Sequence, residues 1–349
     1  MGSDIVTNMA IATVVVILIF DYTNGFHDAS NIIGTVVASR AMTPVQSVIV
    51  VAVFEFMGPL LGGTAVANTI GGIAKIGDLT ATVSMTVLLC GMLGSIFWNL
   101  ITWWFGIPSS SSHALVGGLV GAVLFAAGAD HVVWGMDALV QNHKLTGVTK
   151  TVAALIISPV AAFWTAFLIH RLMRFLLLSA KPSVNNILRR SQFITTAALA
   201  FSHGSNDAQK SMGIVTLVLV LGGFIPKFEV PFWVMLACSM VITLGILSGG
   251  WRIVRTVGFG IYKVRPLHAL DAQLASASLI LGASQFGMPV STTHVASSAI
   301  MGIGTSELPK EVRWSKASEI VSTWLITIPG SGAVGGLSFL FAHHVLGVG

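Results

Sequence analysis

Phe201-Ser202-His203-Gly204-Ser205-Asn206-Asp207-Ala208-Gln209-Lys210-Ser211-Met212-Gly213 is an island of polar and ionisable residues inside apolar sequence. Displaced by 179 residues, Asn24-Gly25-Phe26-His27-Asp28-Ala29-Ser30-Asn31-Ile32-Ile33-Gly34 repeats it, with Gly25/Gly204, Asp28/Asp207, Ala29/Ala208 and Gly34/Gly213 in register. The chain therefore reads as two related halves. A charged side chain near a bilayer centre costs roughly 2.5 to 3.5 kcal/mol on insertion scales, so two aspartates held this way mark a site rather than an accident.

The surroundings establish the bilayer. Of 349 residues 54% are hydrophobic and 9% charged, with mean hydropathy +0.87, against about 25% charged in soluble domains. Apolar runs near 20 residues recur along the whole length, and no hydrophilic segment is long enough to fold alone, which predicts an all-α polytopic membrane protein rather than a β-barrel. The net charge of +5 would suggest nucleic acid in a soluble protein. Here the basic residues cluster in two loops, as membrane topology predicts, and set orientation instead. Cys90 and Cys238 both lie within apolar runs and build no disulfide or metal framework. Ile5 to Phe20 reads as an uncleaved first span, since Met1 to Asp4 carries no basic residue.

Along the chain the islands are expected to break the helices at Asp21 to Asn31 and again between Ser191 and Leu221. Arg171, Arg174, Lys181, Arg189 and Arg190 form the strongest basic cluster, and Arg252, Arg255, Lys263 and Arg265 a second. Both are assigned to the cytoplasmic side, with both termini outside the cytoplasmic membrane. The division that follows is a first membrane repeat over 1–178, a cytoplasmic linker over 179–190 and a second membrane repeat over 191–349.

A second pair of matching stretches tightens the argument. Pro108-Ser109-Ser110-Ser111-Ser112-His113 lies over Pro289-Val290-Ser291-Thr292-Thr293-His294 at an offset of 181. Two separate matches at nearly one offset imply an internal duplication. Charge placement fits two inverted-topology repeats with interrupted helices, the pattern of secondary transporters whose site lies near the midplane.

Pro followed by four hydroxyl-rich positions and an apolar Gly-rich run reads as the opening of a half-helix. Pro suits the first turn, Ser and Thr cap it, and the free N–H groups offer about half a positive charge to an anion. Two such openings facing each other make a cage for a tetrahedral oxyanion, with Ser110, Ser111, Ser112, Ser291, Thr292 and Thr293 as donors. His113 and His294 either donate as well or orient the turn. Asp28 and Asp207 are acceptors, so beside an anion they need cations or protons. With Asn31 and Asn206 as amide ligands they can hold sodium, or they can carry protons. Lys210 takes the position matched by Asn31, where a fixed ammonium can replace a bound cation. His27, matched by Asn206, suits a proton carrier or a hydrogen-bonded turn histidine, and Glu55 within its span reads either as a buried proton acceptor or as one end of a lone structural hydrogen bond. His203 is left with a structural hydrogen bond only.

At these residues the chain closely resembles the inorganic phosphate transporter family, called Pit or PiT, and its bacterial low-affinity permeases most. The family carries a duplicated Gly-Ala-Asn-Asp-Val-Ala-Asn-Ala-like signature, matched here by Gly25 to Ile32 and Gly204 to Ser211. Phe54-Glu55, Arg255-Thr256-Val257-Gly258 and Pro289 to His294 extend the resemblance over nearly the whole chain. It implies an inverted-repeat helical fold, re-entrant hairpins whose Ser/Thr tips bind phosphate, and motif Asp and Asn residues that bind the coupling cation in sodium-driven members. His27 and Lys210 stand where the sodium-type signature has Asn, which removes two oxygen ligands.

The function expected is import of inorganic phosphate by proton symport with alternating access, with the proton as coupling ion and no cofactor. Sodium symport, with sodium at Asp28, Asn31, Asn206 and Asp207, is the alternative. A sulfate or other oxyanion permease of the same fold, and a passive anion channel, are the others. Protonated phosphate can donate hydrogen bonds to Asp28 or Asp207 where sulfate would be repelled, which favours phosphate. An intramembrane hydrolase built on Ser109 to Ser112 with His113 is disfavoured, since a single active site needs no duplicated motif and no hydrolase pattern is present. The partners expected are the lipid bilayer and inorganic phosphate, as the free ion or as a divalent metal–phosphate complex, with the chain a monomer or a homodimer in the bilayer.

Overall fold

The computed structural model describes residues 2–347. Met1, Val348 and Gly349, at the outer limits of the two expected repeats, lie outside the described residues, as do the side chains of Gly2, Ser3, Trp251, Arg252 and Leu346. The helices in chain order are α1 (Gly2–Ala38), α2 (Pro44–Leu61), α3 (Ala65–Gly71), α4 (Ala81–Phe105), α5 (Ser111–Ala127), α6 (Met136–Asn142), α7 (Gly147–Leu176), α8 (Val184–Leu221), α9 (Phe232–Ser248), α10 (Trp251–Phe259), α11 (Pro266–Gln285), α12 (Thr292–Glu307) and α13 (Trp314–Leu346). No strand is present among the described residues.

Among the described residues five of these, α1, α2, α4, α7 and α13, are long and apolar enough to cross a membrane, and α9 with α10, bent by 76° at their junction, has the shape of a broken span or a re-entrant loop. Their outward faces carry exposed Ile11, Val15, Ile49, Val53, Ile156, Trp164, Leu168, Leu325 and Phe341. The interior, by contrast, buries Asp28, Glu55, His203, Asp207 and Lys210. This is a multi-pass membrane protein: lipid-facing surface is apolar, and what is polar is withdrawn among the helices.

The expected breaks at Asp21 to Asn31 and within 202–213 are not in the backbone. α1 and α8 run unbroken through both islands. Several of the polar side chains find partners on other helices or along their own, Ser111 and Thr293 for Asp28 and Lys210 for Asp207, so the backbone keeps its own i to i−4 bonds. Ser211 Oγ, for instance, donates to Asp21 Oδ1 at 2.8 Å, tying one island to the other. The interruptions fall instead at Gly249-Gly250, between α9 and α10, and in the extended segments ahead of α5 and α12.

Helix packing exchanges partners between the halves. α1 lies on α4, α9 and α10, as α8 lies on α11, α2 and α3, while α5 packs on α13 as α12 packs on α7. Glycine sets the two central crossings. A Cβ at Gly25 would sit 2.2 Å from the Ile242 carbonyl oxygen, and one at Gly204 would sit 2.4 Å from that of Glu55. Both positions are occupied by backbone, so no side chain fits and the islands are pressed directly against their neighbours.

Gly204→Ala is therefore expected to lower the melting temperature of the purified protein, because α8 must move off α2. Gly282→Ala is the contrast: nothing lies within 4 Å of its added methyl, and inside α11 it should stabilise by about 0.5–1 kcal/mol. Equal melting temperatures for the two variants would mean that the α2–α8 crossing is not set by contact.

Candidate functional site

The two hydroxyl-rich segments do begin helices. Ser110 caps α5 and accepts from the His113 N–H at 3.1 Å; Ser291 caps α12 and accepts from the His294 N–H at 3.3 Å. Pro108 and Pro289 lie two residues ahead of these caps rather than in the first turn, holding the approach extended. The first N–H groups of each helix are left without intrahelical acceptors, as at any helix start.

Both openings converge on the islands. Ser111 Oγ donates to Asp28 Oδ2 at 2.8 Å and Thr293 Oγ1 to Asp28 Oδ1 at 3.0 Å. Thr292 Oγ1 stands between the halves, 3.5 Å from Asp28 Oδ2 and 3.5 Å from Asp207 Oδ2. Ser112 Oγ donates to the Val290 carbonyl at 2.9 Å, which stitches the start of α5 to the segment leading into α12. Two helix starts and two carboxylates thus share one buried space.

Two further groups occupy the oxygen nests beside the aspartates. Lys210 Nζ, fully buried, donates to Asp207 Oδ1 at 2.7 Å, to the Val290 carbonyl at 3.0 Å and to Ser112 Oγ. The counterparts of those three oxygen-bearing residues in the other half are Asp28, Ser109 and Thr293. There His27 Nδ1 meets Asp28 Oδ1 at 3.0 Å, its Nε2 lies 3.3 Å from Ser109 Oγ, and Asn31 Nδ2 donates to Thr293 Oγ1 at 2.9 Å. Nitrogen donors therefore fill both nests.

Most residues singled out by sequence are brought together here: His27, Asp28, Asn31, Asp207, Lys210, Ser111, Ser112, Thr292 and Thr293. Ser110 and Ser291 stand at the edge as caps. Asn206 faces elsewhere. Its amide donates to Ser284 Oγ and the Met288 carbonyl and its oxygen accepts the Val290 N–H, so it braces the segment before α12. Glu55 is buried one step back, joined to His203, whose Nδ1 donates to Glu55 Oε1 at 2.7 Å and whose Nε2 lies 3.5 Å from Asp207 Oδ2. His203 is thus central, where sequence reading gave it a bystander's role; its spacing of four from Asp207 on one helix was the available signal. His113 and His294 lie with their rings 4.5 Å apart and His294 stacked on Trp324, lining an apolar space by Val152 and Val321. Asp28, His203 and Asp207 offer ligand atoms within 4.8 Å of one another, a grouping in which a cation can sit.

A multi-pass helical bundle enclosing paired carboxylates and paired helix openings is the build of a solute transporter rather than an enzyme. The model of the Phosphate transporter family matches residues 24–335. A protein of Bacillus subtilis (strain 168), described as a probable low-affinity inorganic phosphate transporter, is 39% identical over 98% of this chain and 99% of its own. One of Rhizobium meliloti (strain 1021) with the same description is 39% identical over 97% of each chain. This chain belongs to the phosphate transporter family. A solved structure described as the sodium-dependent phosphate transporter superposes with a TM-score of 0.86 over 97% of this chain and 100% of that one, at 23% identity, and shares its fold.

Breaking a buried ion pair from one side costs about 3–5 kcal/mol. Lys210→Met should therefore destabilise strongly, and adding Asp207→Asn should restore part of the loss. Equal melting temperatures for the single and double variants would show that Lys210 and Asp207 are not energetically coupled.

Proposed function

We propose that this protein imports inorganic phosphate across the cytoplasmic membrane by proton symport. The supporting observation is the pair of oxygen nests beside Asp207 and Asp28, filled by Lys210 in one half and by His27 with Asn31 in the other. A nest of carboxylate, hydroxyl and carbonyl oxygens is what sodium would use. Here an ammonium stands in one, and an imidazole able to carry a proton stands in the other.

The electrostatics explain why coupling is needed. An anion 4 Å from a carboxylate is repelled by about 4 kcal/mol at an effective dielectric of 20, so phosphate enters between Asp28 and Asp207 only with compensating charge. In this reading the co-transported proton supplies part of it, and the Lys210 ammonium beside Asp207 another part. The bound ion takes hydrogen bonds from Ser111, Ser112, Thr292 and Thr293 and from the free N–H groups of α5 and α12. Its own P–OH donates to a carboxylate, which sulfate cannot do. In this reading residues 1–178 and 191–349 are inverted repeats joined by a cytoplasmic linker over 179–190. Rocking of the two against each other about the shared site gives alternating access.

In voltage-clamped proteoliposomes, an inward proton gradient without sodium should drive phosphate accumulation, and a sodium gradient at equal pH should not. Accumulation driven only by sodium would replace the proton with the cation. A requirement for added magnesium would make the cargo a metal–phosphate complex. Asp28→Asn should reduce uptake at least a hundredfold in folded protein; normal uptake would remove Asp28 from the site.

A further inference from the structure

Where α7 ends and α8 and α11 begin, a cavity of about 440 Å³ is walled by His170, Arg174, Arg189, Arg265, His268 and Glu307. Glu307 is the last residue of α12, the helix whose first turn carries Thr292 and Thr293. The cavity thus lies at the far end of that helix, roughly 24 Å away at 1.5 Å per residue. It shares no residue with the central site.

Its charge is lopsided, with three guanidinium groups against one carboxylate. That carboxylate is already engaged: Glu307 is bonded by His268 Nε2, accepts from Tyr262 OH at 3.2 Å and lies 3.5 Å from Arg265 Nη1. His268 Nδ1 in turn accepts the Arg265 backbone N–H at 3.1 Å, which puts the ring's proton on Nε2. His170 differs. Buried to 1% exposure, it donates from Nδ1 to Asp271 Oδ2 at 2.7 Å, while its Nε2 forms no hydrogen bond with any described residue and lies 3.9 Å from Glu307 Oε2, too far for one. A buried ring nitrogen on a cavity wall without a hydrogen-bond partner is a group able to take one.

His170, His268 and Glu307 also meet the spacing of a cation site, with ligand atoms within 4.8 Å. Two facts weigh against a cation. The His268 nitrogen facing Glu307 carries a proton and cannot ligate while its other nitrogen holds the Arg265 N–H. Three arginines on the same wall repel a divalent ion and attract an anion.

We propose that this cavity is a second oxyanion site, taking a phosphoryl group: the guanidinium groups pair with its oxygens, and a phosphoryl or headgroup hydroxyl donates to His170 Nε2. The source is free phosphate or the headgroup of an anionic lipid, since basic pockets between helices at the cytoplasmic boundary suit both. The placement at that boundary rests on the orientation given under the proposed function.

The test reads binding and transport separately on the full-length protein. Wild type and Arg189→Gln/Arg265→Gln are titrated with radiolabelled inorganic phosphate. Both are also compared by native mass spectrometry for retention of phosphatidylglycerol over phosphatidylcholine. Wild type should hold two phosphates per chain, or one phosphate and one retained phosphatidylglycerol. The double variant should bind the second ligand at least tenfold more weakly while phosphate uptake in phosphatidylcholine vesicles stays within twofold. Loss confined to the phosphate arm identifies the free ion, and loss confined to the lipid arm identifies the headgroup. One phosphate per wild-type chain with no lipid preference overturns the site, as does equal binding by a folded double variant. Zinc binding that His170→Gln abolishes, with no phosphoryl ligand on wild type, overturns it in favour of a cation. Absence of phosphate uptake by wild type would instead count against the transport reading alone.

Discussion

The structure depends on two carboxylates set against two helix starts. Asp28 and Asp207 receive hydroxyls from the first turns of α5 and α12, and those turns carry free N–H groups with the positive end of the helix dipole. Buried acids would be costly in a membrane without such donors. The same donors are what a tetrahedral oxyanion would use. In the proposed function acid and phosphate would compete for one set of hydrogen bonds, and the coupling follows from that competition: whatever neutralises the acids frees the donors.

Holding this arrangement requires helices to approach more closely than side chains allow. Gly25 against Ile242 and Gly204 against Glu55 bring α1 onto α9 and α8 onto α2 with backbone in contact. With the backbone continuous through both islands, the polar side chains are projected at fixed heights into the interior. A rigid helix positions a carboxylate better than a loop does, and small residues at crossings are the usual means in lipid.

The halves resemble each other in packing but not in charge. The Glu55–His203 pair has as its counterpart Ile242 against Asn24, as the matching glycine contacts identify it. Lys210 is the counterpart of Asn31. The island on α8 thus carries an ammonium and a histidine paired with a glutamate of α2, where the island on α1 carries amides and a single histidine. The duplicated frame supplies two equivalent places for charge, and the present chain has loaded them differently.

Much of this was legible in sequence. The duplicated islands, the serine and threonine helix starts and the membrane setting all follow from residue type and spacing, because caps and apolar runs are local. The sequence alone determined which residues are too costly to bury without purpose. It did not reveal that α1 and α8 stay unbroken, since hydroxyl partners of Asp21 and Asp28 come from segments up to 265 residues away. Nor did it reveal His203 against Glu55, the turning of Asn206 toward the Val290 N–H, or the cavity beside His170. Those depend on which helices meet and at what height, and only tertiary packing decides that.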